Sequence, residues 1–152
     1  MSDYLIYLTV PDYLCQWLTH TFGNPVVLIK NGPESRVLNE FLVKTPANKQ
    51  PDNGKDANIS IQIPWFKGKD PREYNYIHNS GRSALIDSFQ TLFDLNILEE
   101  VFALEKLSVN CRTYKLIYAF MEKHGIEEQH FDTVMQRYRR LKNKYKKVDI
   151  NV

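Results

Sequence analysis

The chain has 152 residues and a mass of 17.9 kDa, with 43% hydrophobic and 25% charged residues. That composition excludes a chain disordered throughout, and the length suits one domain or one domain with a small added module. The formal net charge is only +2, and no apolar run reaches the roughly 18 residues that a membrane-spanning helix needs.

Residues 4–10, YLIYLTV, are aromatic and β-branched and predict a strand buried on both faces. Pro11 and Asp12 open a helix, and Leu14, Trp17, Leu18 and Phe22 recur along it at helical spacing. Gly23 and Asn24 end it. A second strand is expected over 26–30, then a turn at 31–35, then a helix with Val37, Leu38, Phe41 and Leu42 as its stripe. Strand, helix, strand, helix is the order of a crossover unit, so the first two strands are expected to be parallel and joined right-handedly. Residues 45–57 read as an exposed loop. Ile59, Ile61 and Ile63 alternate with Ser60 and Gln62 and predict a half-buried strand over 58–64. Residues 65–72 are irregular, and 73–77 fit a short strand or a loop equally well.

From Ser80 the pattern is helical. Ser80 or Ser83 caps a helix to about Leu95, and Leu85, Ile86, Phe89, Leu92 and Phe93 face inward. Asn96 marks a break before a shorter helix to Leu107. Asn110 or Thr113 caps the next, which His124 and Gly125 end. The last helix, from Phe131 to Tyr145, carries Phe131, Val134, Tyr138, Leu141 and Tyr145 along one side. The expected fold is therefore α+β. A small N-terminal three-stranded sheet with crossover helices spans residues 1–78. A helical half spans 79–152, with four helices after residue 79, and ends in a basic helical hairpin.

The modest net charge conceals an asymmetry. Residues 111–152 hold ten Lys or Arg against five Asp or Glu, and seven cations without an acid lie between Arg137 and Lys147. Such a cluster attracts polyanions, because each phosphate it neutralises releases counterions. Arg137, Arg139, Arg140, Lys142, Lys144 and Lys147 are the candidate nucleic-acid contacts, and Gln136 and Asn143 offer amides that can read base edges. Arg137, Arg139, Arg140, Lys144 and Lys147 are expected to be exposed, with Phe131, Val134, Tyr138 and Leu141 buried. A solvated face without a partner is the plainer reading of any charge run. Trp65 and Phe66 open a loop that interleaves rings with Lys67, Lys69 and Arg72. Rings beside cations suit stacking on single strands, but packing at the core edge is the favoured reading for both rings.

Nothing in the sequence assembles a catalytic site. His20, His78, His124 and His130 do not cluster, and Cys15 and Cys111 have no activating neighbour. Asp70, Glu73 and Asp87 read as turn and surface residues rather than metal ligands. Gly81-Arg82 near a helix start offers at most a weak phosphate site. No cofactor, metal or small-molecule substrate is expected, nor an enzyme. With two cysteines and no basic leader in MSDYLIYLTVPDYL, a cytoplasmic protein is expected.

The runs TVPDYLCQWLTHTFGNPV, IPWFKGKDPREYNYI and IYAFMEKHGIEEQHFDTVMQRYRRLKNKY resemble a family of small uncharacterised bacterial proteins. These accompany mobile elements and prophages, and some are labelled transposon-related DNA-binding proteins. The resemblance implies a cytoplasmic, non-enzymatic accessory role near DNA, and it supplies no site residues. The alternative is a protein-interaction module whose basic helix meets an acidic partner or closes a homodimer.

Overall fold

Alternation builds the first sheet. β1 (Leu5–Leu8) and β3 (Ile59–Gln62) pair antiparallel, with Ile6 opposite Ile61 and Leu8 opposite Ile59. These four side chains are buried, while Leu5, Tyr7, Ser60 and Gln62 are half-buried, so β1 hides one face rather than two. The Asn58 side chain prolongs the ladder beyond Leu8. Its Nδ2 donates to Val10 O at 2.6 Å, and its Oδ1 accepts from Val10 N at 2.9 Å. The computed structural model describes residues 4–49, 54–107 and 111–150, with side chains up to Tyr145. Contacts divide the chain into two compact units, residues 1–90 and 91–152.

In the first unit α1 (Asp12–Phe22) buries Tyr13, Leu14, Trp17 and Leu18. The N–H of Gly23 closes its end on Thr19 O. The expected strand at 26–30 shrinks to one residue. Val26 N donates to Ser60 O at 2.8 Å, Gln62 N donates to Val26 O at 2.9 Å, and Val26 forms a single parallel bridge to Ile61. The chain then closes a turn from Gly32 N to Ile29 O, with Asn31 at φ 63°, before a second pair can form. Since β1 is antiparallel to β3 and Val26 is parallel to it, β1 and Val26 run in opposite directions. Among the described residues the parallel crossover between neighbouring strands is therefore absent, and two two-stranded sheets take the place of a single three-stranded one. A separate two-stranded pairing joins β2 (Val43–Lys44) to β4 (Tyr74–Tyr76), so the middle three residues of 73–77 are strand and Glu73 belongs to the preceding turn.

Between these strands, α2 (Pro33–Phe41) starts on Gly32 with Pro33 in its first turn, where a missing N–H costs nothing. It buries Glu34, Ser35 and Leu38. α3 begins at Asn79, where a side chain on buried Gly81 would press within 2.8 Å of Phe41 Cβ.

The helix does not break at Asn96. α3 (Asn79–Ile97) passes through a π turn (Leu98–Phe102) into α4 (Ala103–Leu107). Leu85, Phe89, Phe93, Ile97 and Val101 are all buried, each four residues after the last. An α-helix has 3.6 residues per turn, so such a row drifts around it, and the wider π turn offsets part of the drift at Val101. Asn in a helix costs up to about 0.7 kcal/mol, less than the roughly 1.5–3 kcal/mol gained by burying one large apolar side chain. Asn96 Nδ2 also donates to Glu100 Oε1 at 3.3 Å. Among the described residues four α-helices therefore follow residue 78, as expected, but α3 and α4 join through the π turn into one continuous rod, ahead of α5 (Thr113–Lys123) and α6 (Phe131–Ile150). α5 takes Arg112 as its N-cap without a side-chain bond. The alternative cap at Asn110 lies outside the described residues.

Candidate nucleic-acid interface

The α5–α6 hairpin turns where Gly125 adopts φ 71° and Ile126 N donates to Met121 O at 2.9 Å. A short 3-10 turn (Glu128–His130) then leads into α6, whose first turn carries Asp132 at the positive end of the dipole. Val134, Met135 and Tyr138 are buried. Phe131 and Leu141, expected to be buried, are half-buried, and Tyr145 is exposed. Phe131 instead stacks on exposed Tyr118 at 4.2 Å, and Tyr145 meets Phe102 edge-on at 5.5 Å. Both rings close the margin of the core rather than fill its centre.

That stripe fixes where every cation points. Gln136, Arg139, Arg140, Asn143 and Lys144 follow the i, i+3, i+4, i+7, i+8 rule and form the face opposite Tyr138. All five are exposed. Arg139, Arg140 and Lys144 have no ion-pair partner among the described residues. Arg137 and Lys142 lie at the two margins of the buried stripe and meet different surroundings. Arg137 grips Asp94 with two bonds, Nε to Oδ1 at 2.6 Å and Nη2 to Oδ2 at 2.8 Å. Lys142 Nζ donates to Glu105 Oε1. Both are half-buried, so the expectation of an exposed, available Arg137 fails, and Lys142 likewise serves the fold. Their carboxylates sit on other helical segments, which a reading confined to the last helix does not reach. The Lys147 side chain lies outside the described residues.

Glu105 organises this margin. It accepts from Lys142, from the Tyr138 hydroxyl and from Thr113 Oγ1, the last at 3.2 Å. Burial favours its neutral form, but the bonds from Lys142 and Tyr138 outweigh that and hold the carboxyl below its ordinary value. Tyr138 moves the other way, raised by burial and then by the Glu105 carboxylate. Glu100 is a second hub, 3.0 Å from Lys123 Nζ and 2.8 Å from His124 Nε2. Burial again opposes its charge, and the bonds from His124 and Lys123 again win, lowering its pKa.

The aromatic–basic loop is divided in the same manner. Phe66 and Lys69 form a bridge around Gly68, whose φ of 80° suits a residue without a side chain. Lys69 Nζ turns inward and donates to Asn39 O and, at 3.0 Å, to Leu42 O. Arg72 forms two-pronged bonds to Asp70 and lowers the carboxyl's pKa through them. Lys67 is exposed and has no ion-pair partner among the described residues. Phe66 is half-buried, consistent with packing. Trp65 is not: it is 60% exposed and makes no ring contact or hydrogen bond among the described residues, against the favoured packing reading.

Other candidates stay dispersed. Asp70 binds Arg72, Glu73 lies 3.8 Å from Lys44, and Asp87 is an exposed residue of α3. Arg82 is half-buried and donates to Tyr7 O, so it serves the fold of the first unit. Cys15 donates to Asn58 O at 3.2 Å, and burial raises its thiol pKa, the opposite of an activated nucleophile. Among the described residues no group of three His, Cys, Asp or Glu side chains is placed to hold a metal ion. Among them, too, no helix is long and apolar enough to cross a membrane. Comparison of the chain with protein families, curated proteins and solved structures found no match.

Proposed function

We propose that this is a non-enzymatic DNA-binding accessory or regulatory protein that grips the phosphate backbone through the outer face of α6. The supporting observation is the separation of cations on that helix. Arg137 and Lys142 are neutralised by Asp94 and Glu105, whereas Arg139, Arg140 and Lys144 stand exposed beside the amides of Gln136 and Asn143. The three cations lie within about one and a half helical turns, roughly 7.5 Å along the axis, a spacing that suits neighbouring phosphates, and the amides suit base edges. A role beside a bacterial mobile element, in the cytoplasm, follows from the sequence resemblance.

Salt tests the proposal. Anisotropy of a labelled duplex, titrated between about 50 and 200 mM salt, should give a log–log slope near −3 for three neutralised phosphates. A slope near zero, or no binding at low salt, contradicts it. The second reading, a protein-interaction module, is favoured by the leucines that Leu95, Leu104 and Leu107 leave exposed, Leu107 at 82%. An apolar interface of that kind responds little to salt.

A further inference from the structure

We propose a second binding site, in the first unit, where a groove of about 660 Å³ takes an unpaired base of single-stranded nucleic acid against Trp65 and its flanking phosphates against Lys30 and Lys67. This proposal stands apart from the α6 reading, on other residues and another ligand geometry. The groove volume falls inside the roughly 300–1,000 Å³ usual for ligand clefts.

Three observations choose the occupant. The indole of Trp65 is 60% exposed although burying it would be favourable, and a flat ring left open in a groove is a stacking platform. Lys30 and Lys67 line the same groove, both exposed and without ion pairs, and no carboxylate lines it among the described residues. The lining is thus positive, which fits a phosphodiester and repels no part of it. Asn31 and Asn39 also line it, and their side-chain amides carry no hydrogen bond among the described residues, which leaves them available to a base edge. The mounting is firm. The Phe66–Lys69 bridge and the inward anchor of Lys69 on Asn39 O and Leu42 O hold the turn that presents Trp65. Stacking tolerates every base because each has a π-face, so the site would select unpaired strand over sequence.

Tryptophan emission tests this directly, because the other tryptophan, Trp17, is only 2% exposed. Oligothymidylate should quench the exposed component at low salt, whereas an abasic phosphodiester of equal length should not. Trp65→Ala should weaken oligothymidylate binding about tenfold by anisotropy, and Trp65→Phe should keep most of the affinity. Lys30→Glu with Lys67→Glu should flatten the single-strand salt slope by about 1.4. The quench should persist in Arg139→Glu/Arg140→Glu, so failure of the α6 reading leaves this one standing. Absence of the quench overturns the proposal. So does unchanged affinity in Trp65→Ala with a native circular-dichroism spectrum, or displacement of oligothymidylate by poly-glutamate at equal charge concentration, which would make the groove a site for acidic peptides.

Discussion

The loop at 65–72 and helix α6 both mix cations with aromatic rings, and both spend part of their charge on the fold. In the loop, Lys69 caps backbone carbonyls and Arg72 holds Asp70, leaving Lys67 unpaired. On α6, Arg137 and Lys142 are spent on Asp94 and Glu105, leaving Arg139, Arg140 and Lys144. The regions differ in how the division is made. On the helix it follows rotation: margin positions pair and outer positions do not. In the loop it follows individual turns, Gly68 above all. A count of cations therefore says little until the local geometry says which are committed.

The comparison breaks most readily at Tyr138. Tyr138→Ala removes a fully buried ring and the hydroxyl that serves Glu105, and should cost about 3–5 kcal/mol in urea denaturation. A loss under 1 kcal/mol, on the order of a surface change, would mean that the stripe does not set the rotation of α6. Next comes Glu105→Gln, which strips Lys142 of its counter-ion and Tyr138 of a charged acceptor. A cost of about 2–3 kcal/mol is expected at pH 7. The pH dependence follows from the same site. Glu105 and Glu100 titrate below their ordinary value of 4.5, so the unfolded chain binds protons first as pH falls. Their stabilisation is present above about pH 4.5 and is lost as pH drops through the lowered native values. Tyr138 is raised above its ordinary 10.0, so its share is lost as pH climbs beyond about 10. Glu105→Gln should flatten the acid limb of a stability–pH profile, and an unchanged limb would remove Glu105 from the account. Arg137→Gln should cost less, about 1 kcal/mol, because the pair with Asp94 is only partly shielded from water. Smallest of all, Arg139→Glu with Arg140→Glu should leave stability within about 0.5 kcal/mol of wild type.

Much of this was legible wherever burial follows a period. The α1 stripe of Leu14, Trp17 and Leu18, the Ile59–Ile61 alternation and the buried Val134 and Tyr138 all declare themselves by spacing. Hydrogen-bond partners do not. Val26 and Leu28 alternate with Val27 and Ile29 in burial as a strand would, yet only Val26 finds a partner strand. Asn96 reads as a break because its propensity is local, while the burial of Phe93, Ile97 and Val101 that overrides it is not. Met135 is buried on α6 without declaring itself, because it lies beside the simple three-to-four spacing. Trp65 departs from the packing expected of an aromatic residue, and only the Phe66–Lys69 turn reveals which way it faces.

The division of cations on α6 is tested most directly by parallel salt titrations of wild type, Arg139→Glu/Arg140→Glu and Arg137→Gln on one labelled duplex. The outer-face double variant should bind more weakly at every salt concentration and flatten the log–log slope by about 2. Arg137→Gln should keep the wild-type slope, since that guanidinium already belongs to Asp94. An unchanged slope in the double variant, or an equal flattening in Arg137→Gln, would contradict the account.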